Sequence, residues 1–530
     1  MRMLPAAHLP LKNKRGTPMR AKGKPAAKIS HFSAPLKGLS RYAELNETDP
    51  LLASILTNWV VEDDRITVRP GYIKLGQITP AVPISTIIPY YGTAQELAIA
   101  AGPKIYDTSG VVISAGPYGS DRWAWTAFSN LSSVDYTVMV NGFDGVISWD
   151  GTTFVKETVA APPTEPWILP DKFDKVISHM NRLWFADSEN LAVYYLPVQR
   201  KNTTPPDEFL FVVPLNAIFK RGGHIEALAT WSIDGGVGMD DALVIFSSNG
   251  EVAIYSGVDP ASDFQLVGIF RFDAPMSKES LINFGGDLYI MVSTGLMPMT
   301  TLIRAEVEQL GKSDLNVMKE FEEFAKTRRS DYGWQVILNH HTNHAICNMP
   351  IGDGKYQQMV RKMPGQVWAK WRDVPARCWG WLDNHTYFGS EDGGIYLGGS
   401  EYLNDNGAAI NADVRFAWSS YKSVQKKNFK MVRLYTITDG LTRPFIDMEV
   451  DYGSLPPTNQ PEVTEAAGGA TWDLATWDVD YWTTALQARQ HWQGITGLGR
   501  VGALRVRISV TNCTFSLSGV DVVYELGGLM

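Results

Sequence analysis

Seven times between about Ser85 and Ser400 the chain repeats one short pattern: an apolar strand, a Gly- or Asn-rich turn, and a second strand with aromatic residues near its end. The segments are Leu97 to Tyr106, Tyr136 to Trp149, Arg182 to Tyr195, Leu243 to Tyr255, Asp287 to Gly295, Trp334 to Pro350 and Thr386 to Tyr396. The fourth is the clearest, because Asn249-Gly250 stands between two alternating apolar runs, the strongest short-range hairpin signal. Successive hairpins lie roughly 40 to 60 residues apart, near the period of propeller blades. One small twisted sheet cannot bury both of its faces. Stacked radially about an axis, each sheet covers its neighbours and few edges stay open. The expected fold is therefore all-β: a β-propeller of about seven irregular blades. A pair of β-sandwiches is the alternative for the same hairpins.

The two ends of the chain read differently. Residues 1–43 form a basic N-terminal arm, and 44–84 a lead-in segment. In the lead-in, Asn46 to Pro50 offers cap residues, Leu51 to Trp59 fits a brief helix, and Arg65 to Val68 fits a strand closed by Arg69-Pro70-Gly71-Tyr72. The propeller is assigned to 85–411. Within it Ser313 to Arg329 reads as a helix, with one apolar stripe (Leu315, Met318, Phe321, Phe324), Asp314 early, and Lys326, Arg328 and Arg329 late. From 412 to 530, hairpin-like alternation over Asn428 to Asp439 and Arg443 to Tyr452, then Ala503 to Val510 and Thr514 to Tyr524, predicts a separate β-sandwich domain. In Leu504 to Ile508, Arg505 and Arg507 share one face, expected to meet solvent or an interface.

Composition limits the function classes. With 45% hydrophobic and 20% charged residues, the chain is ordinary globular protein. No run of about eighteen apolar residues is present, so no spanning helix and no membrane partner is expected. The basic N-terminus lacks the apolar core of a secretory signal. Three widely spaced cysteines, Cys347, Cys378 and Cys513, argue against a disulfide framework or zinc site and for a reducing compartment. Residues 1–43 hold no Asp or Glu, whereas the whole chain has 48 basic and 56 acidic residues. A basic arm on an acidic body can embrace a neighbouring copy, dock on an acidic partner or touch nucleic acid. The candidate interface residues are Lys12, Lys14, Arg15, Arg20, Lys22, Lys24 and Lys28, together with Trp472, Trp477 and Trp482, spaced by five near the C-terminus.

Signals for chemistry are weak. His340, His341 and His344 could supply imidazoles to zinc, but a hairpin turn would aim them apart. Asp234 to Asp241 is a Gly-rich acidic loop without the alternating order of a calcium site. Asp63-Asp64 could serve a glycosidase, and Trp149 to Phe154 is a fragment of an Asp-box pattern. No nucleophile elbow or phosphate-cradling loop occurs. No catalytic, cofactor-binding or metal-binding residue is assigned, and the chain is expected not to be an enzyme.

Several segments carry a resemblance: Pro35 to Ser40, Asn58-Trp59 and Arg69-Pro70-Gly71-Tyr72; Asn181 to Phe185 with Tyr194 to Pro197; Asp240-Asp241 before Asn249 to Tyr255; Gly285 to Leu288 with Gly295-Leu296; Gly497 to Gly502; and Tyr524 to Gly528. In these the chain resembles the tail nozzle or tail tubular protein B group of short-tailed bacteriophages, with related packaged-DNA stabilisation and tail-hub proteins. The resemblance is diffuse and runs through scaffold turns. It implies a virion structural protein of the tail, assembled in the bacterial host cytoplasm. It also implies a ring of identical subunits, commonly six, below portal and adaptor proteins, with tail fibres as further partners. Such a ring forms the channel that retains and releases packaged double-stranded DNA. An acidic body would keep the duplex from sticking to the wall, since phosphate backbones bind cationic surfaces. The competing expectation is a carbohydrate-binding or carbohydrate-cleaving tail propeller, with an exposed aromatic groove holding a carboxylate pair.

Overall fold

The computed structural model describes residues 27–41, 49–92, 94–204, 208–234, 239–304, 316–440, 442–453, 463–465 and 486–527. Six small antiparallel sheets stand apart: 84–114, 124–156, 173–214, 225–271, the three-stranded 281–298, and 378–398 completed by Tyr72–Gln77. Between the last two, residues 335–371 supply four further strands, which run on into a ten-stranded sheet. Consecutive sheets touch along their inner strands, and the last touches the first. The seven repeated hairpins thus fall one to each of seven radial positions. Residues 335–371 are the position that is not a separate sheet.

Turn chemistry makes the hairpins. At Asn249-Gly250, Gly250 adopts φ +77, and a Cβ there would meet the Phe272 carbonyl oxygen at 2.3 Å. Closure of the wheel depends on close approach. The backbone of Gly380 lies so near Ile87 that a Cβ would reach its Cγ2 at 2.4 Å, which lets the seventh blade seat against the first. The outer strand of that seventh blade, Tyr72–Gln77, comes from upstream of the propeller and pairs antiparallel with Gly394–Gly398. The chain therefore closes its own ring by hydrogen bonds.

The C-terminal part is sandwich-like, and it is built from both ends of the chain. One sheet runs Gln487–Gly499, Lys427–Thr438, Phe515–Leu526, Ile66–Val68 and Trp59–Val61, with Ala27–Ser33 also paired to Phe515–Leu526. The other includes Leu52–Thr57, Ile410–Phe416, Gly502–Thr511 and Phe445–Val450. Val432, Leu434, Val520 and Val522 of the first share one buried core with Val414, Val506 and Ile446 of the second. The core continues to Met349, Met359 and Trp368 of the sixth blade, so propeller and sandwich are fused rather than tethered.

Two sequence expectations fail here. Leu51 to Trp59 is not a helix but two strands, Leu52–Thr57 and Trp59–Val61, broken at Asn58 with φ 61. The cap signal is real but closes a turn: Asp49 Oδ1 accepts from the Leu51 N–H at 3.0 Å. Arg505 and Arg507 do share a face, yet neither is given over to solvent. Arg505 reaches Asp413 at 2.6 Å and Glu449 at 3.1 Å, and Arg507 lies 4.5 Å from the Phe445 ring centre. The expected helix is present as Met318–Arg328. Its buried Phe321 meets Trp368 edge-on, Glu320 pairs with Lys370 at 3.1 Å, and the Trp334 indole N–H caps the Arg328 carbonyl at 2.8 Å. Among the described residues no helix is long and apolar enough to cross a membrane.

One buried joint holds these parts together. Arg69 binds Asp405 in a fork, at 2.9 and 2.6 Å, and its Nε donates to Asn58 Oδ1 at 3.1 Å. Asn58 Oδ1 also accepts from the Arg372 N–H at 2.8 Å. Replacing Asp405 by Ala strands a buried guanidinium and should cost about 3–5 kcal/mol in chemical denaturation. Asp64→Ala breaks only an exposed pair with Arg65 and should leave the transition unmoved.

Candidate functional site

Each of the seven inner strands sends side chains to the propeller axis. Thr86, Trp125, Ile177, Leu228, Ile282, Ile337 and Trp381 line a cavity of about 540 Å³. A second cavity of about 560 Å³ lies among the loops that precede the inner strands, and both are lined by Lys278 and Glu279. These two residues immediately precede the inner strand Leu281–Phe284 of the fifth blade. They form a waist between two chemically different mouths.

The loop side is polar and cross-braced. Lys278 Nζ donates to the Arg122 carbonyl at 3.1 Å and the Asp174 carbonyl at 3.2 Å, tying the fifth blade to loops of the second and third. Tyr332 lies between two guanidinium groups, Arg122 at 4.6 Å and Arg377 at 4.7 Å from its ring centre, and donates to the Ser85 carbonyl. Burial pushes its phenol well above the ordinary tyrosine range. Arg377 is fixed by Glu391 at 2.6 Å, and Glu391 also accepts from the Tyr356 hydroxyl.

Glu279 differs. Its backbone is tied down, with N–H to Ser277 Oγ at 3.1 Å and its carbonyl accepting from Val336. Its carboxylate has no hydrogen-bond partner among the described residues. Burial pushes its acid up to about 7, against the opposing pull of Lys278 and Arg122. It is the sole carboxylate among the residues lining the 540 Å³ cavity. The adjoining 560 Å³ cavity, which Glu279 also lines, adds Asp174, Glu226 and Asp331.

The strand-end side is aromatic. Tyr91 and Trp125 have ring centres 6.3 Å apart; His340 and Trp381 are edge-on at 5.5 Å. The Tyr91 hydroxyl donates to the Trp381 carbonyl at 3.3 Å, linking the two couples across the seam between the first and seventh blades.

The three histidines singled out in the sequence are separated by their hairpin. His340 belongs to the axial mouth. His341 and His344 line a different cavity, of about 380 Å³, where the sixth and seventh blades meet the sandwich. His341 Nδ1 lies 3.4 Å from Asn384 Nδ2. His344 is buried on strand His344–Gly352, and burial lowers its imidazole to about 4, so it is neutral at neutral pH. Among the described residues no group of three or more His, Cys, Asp or Glu is placed to hold a metal ion.

The other candidates disperse. Asp63 is 97% exposed and pairs with Lys362, and it lines neither axial cavity. In the acidic loop, 235–238 lie outside the described residues, and Asp241 accepts from Ser232 at 2.5 Å. No disulfide joins the three cysteines, which are all buried, and burial raises the thiols of Cys378 and, to about 11, Cys513. Of the interface candidates, Lys28 is exposed on strand Ala27–Ser33. Lys12, Lys14, Arg15, Arg20, Lys22, Lys24, Trp472, Trp477 and Trp482 lie outside the described residues. The axial residues were missed because no spacing joins them. The one local signal is the charged pair Lys278-Glu279 set directly before a strand.

No protein-family model and no curated protein sequence matches the chain. Solved structures with 11% identity include the computationally designed Ika8 protein, with a TM-score of 0.34 over 65% of this chain and 96% of that one. Another is the extracellular domain of a protein described as a hybrid two-component system of B. thetaiotaomicron, with a TM-score of 0.36 over 64% of this chain. The chain spans 41% of the length of the latter.

The Glu279 acid gives a pH signature. The folded chain holds this proton to about 7, whereas an unfolded glutamate releases it near 4.5. Folded protein therefore binds more protons between those values, and stability should fall as pH rises through them. Glu279→Gln should flatten that fall by on the order of 2 kcal/mol, read from urea denaturation at the two ends of the window.

Proposed function

We propose that this chain is a structural subunit of a bacteriophage tail, a nozzle or hub ring component. In this reading, copies of it enclose the conduit that retains and releases packaged DNA. The observation that carries the reading is the joint of the molecule. Asn58, Trp59 and Arg69 to Tyr72, which bear the resemblance to the tail nozzle group, converge on one buried junction. There Arg69 forks to Asp405, Asn58 bridges Arg69 and Arg372, and the Trp371 indole donates to the Trp59 carbonyl at 3.2 Å. Such a joint makes propeller and sandwich one stiff block, which a load-carrying ring requires.

Two features constrain how such a ring would work. The axial cavity of about 540 Å³, with Lys278 bonded to carbonyls of two other blades at its waist, is far too narrow for a duplex. A DNA conduit must therefore be enclosed between subunits, with each propeller as one stave of its wall. The basic arm has a fixed point of departure. Strand Ala27–Ser33 pairs over its whole length with Phe515–Leu526, and His31 Nδ1 lies 2.8 Å from the buried Asp521. Burial opposes ionisation of Asp521, but hydrogen bonds from Arg433, Tyr435 and His31 outweigh it and hold the carboxyl below its usual range. In this reading the basic segment that precedes Ala27 contacts an adaptor or an adjacent copy.

Electron microscopy of the purified chain should show rings, six-fold by the family's habit, with a central hole. Dispersed monomers at high concentration would count against the ring. Deleting residues 1–26 removes most of the arm but no described strand. The melting transition should be unchanged while ring docking is lost; intact docking would remove the arm from the assembly.

A further inference from the structure

The axial cavity joins features that neither a ring wall nor a packed core needs. Its outer mouth is rimmed by aromatic side chains from different blades: Tyr91, which is 47% exposed, with Trp125, Trp381 and His340. The same cavity is lined by Asn283, exposed near the end of the inner strand of the fifth blade, and by Glu279 at the waist. Among the described residues neither of these two side chains has a hydrogen-bond partner. The ammonium of Lys278 is already held by two carbonyls. The site thus combines flat π-faces with an amide and an acceptor in a pocket of about 540 Å³.

We propose that this mouth is a binding site for a neutral oligosaccharide, whose sugar ring stacks on Trp125 or Trp381 while its hydroxyls reach Asn283 and Glu279. The chemistry selects this class. Sugar rings present C–H faces suited to indole and phenol surfaces, and hydroxyl groups at their edges that donate to a carboxylate. A purely apolar ligand would seal Glu279 and Asn283 away from water without partners. An anionic ligand would meet the Glu279 carboxylate, with the nearest ammonium already engaged. The inference does not rest on ring assembly. It would give a tail component a hold on surface glycans, or any other protein of this fold a lectin-like site.

The test uses the full chain and isothermal titration with maltotriose, cellotriose and the trimer of N-acetylglucosamine, with trigalacturonate as the anionic comparison. At least one neutral trimer should bind, one per chain, in the range up to about 10 mM. Trp125→Ala and Trp381→Ala should each weaken it roughly tenfold or more. Trp381→Phe should retain part of the binding, and Trp167→Ala, an exposed tryptophan outside the cavity, should change nothing. Thermal melts confirm that each variant folds. Absence of binding by all three neutral trimers would overturn the proposal. So would tighter binding of the anionic trimer, or affinity indifferent to both alanine variants. Each of these results is independent of whether rings form in the microscope.

Discussion

The fold hangs on how the wheel is closed, and the closing strand is pinned by one buried ion pair. Tyr72–Gln77 is chemically the beginning of the propeller but structurally the outer strand of its last blade. Directly before it, Arg69 forks to Asp405. The turn that carries Asp405 also binds the start of the strand, through Gly71 N–H to the Tyr402 carbonyl and Tyr72 N–H to the Asn404 carbonyl. Buried charges gain little net stability over an apolar pair, but an unpaired one is costly. The pair therefore acts chiefly by excluding other registers of the closing strand. Through Asn58, bonded to both Arg69 and the Arg372 backbone, the same cluster sets where the sandwich sits on the sixth blade.

That arrangement makes the axis a protected space. Close approach at Gly380 brings the first and seventh blades together, and the stacked Arg122, Tyr332 and Arg377 brace the loops above the same seam. With Lys278 satisfying two foreign carbonyls, the waist is held from three blades. At that waist stands an acid, Glu279, half-buried, with no hydrogen-bond donor to its carboxylate among the described residues. A scaffold with no use for its axis would more simply fill that position with an apolar side chain. The two mouths differ, charged on the loop side and aromatic at the strand ends, so the axis has a direction.

Much of this was legible in the amino acids, and the parts that were not share a cause. All seven hairpins were visible because each is a local object: period-two alternation and a turn residue with the right φ, as at Asn249-Gly250. The helix Met318–Arg328 was visible through its apolar stripe and end charges. Leu51 to Trp59 was misread because Asp49 caps a turn as readily as a helix, and the choice belongs to Phe416 and its neighbours, over 350 residues away, with which Leu52–Thr57 pairs. Arg505 and Arg507 were expected to meet solvent or an interface because Asp413, Glu449 and Phe445 lie on other strands. The histidines were rightly suspected of being split, but which cavity each would join was not readable.

The sequence by itself determined the class of structure and its repeat, since strand alternation, turn residues and blade-length spacing are properties of contiguous residues. Only the tertiary structure decided that strands Ala27–Ser33, Leu52–Thr57, Trp59–Val61 and Ile66–Val68 complete the sandwich, that Tyr72 to Gln77 closes the ring, and that Lys278, Glu279, Tyr91, Trp125 and Trp381 meet at one axis. Those are encounters between segments far apart in the chain. What selects them is shared burial and the satisfaction of particular donors and acceptors, and neither leaves a periodic trace in the order of the amino acids.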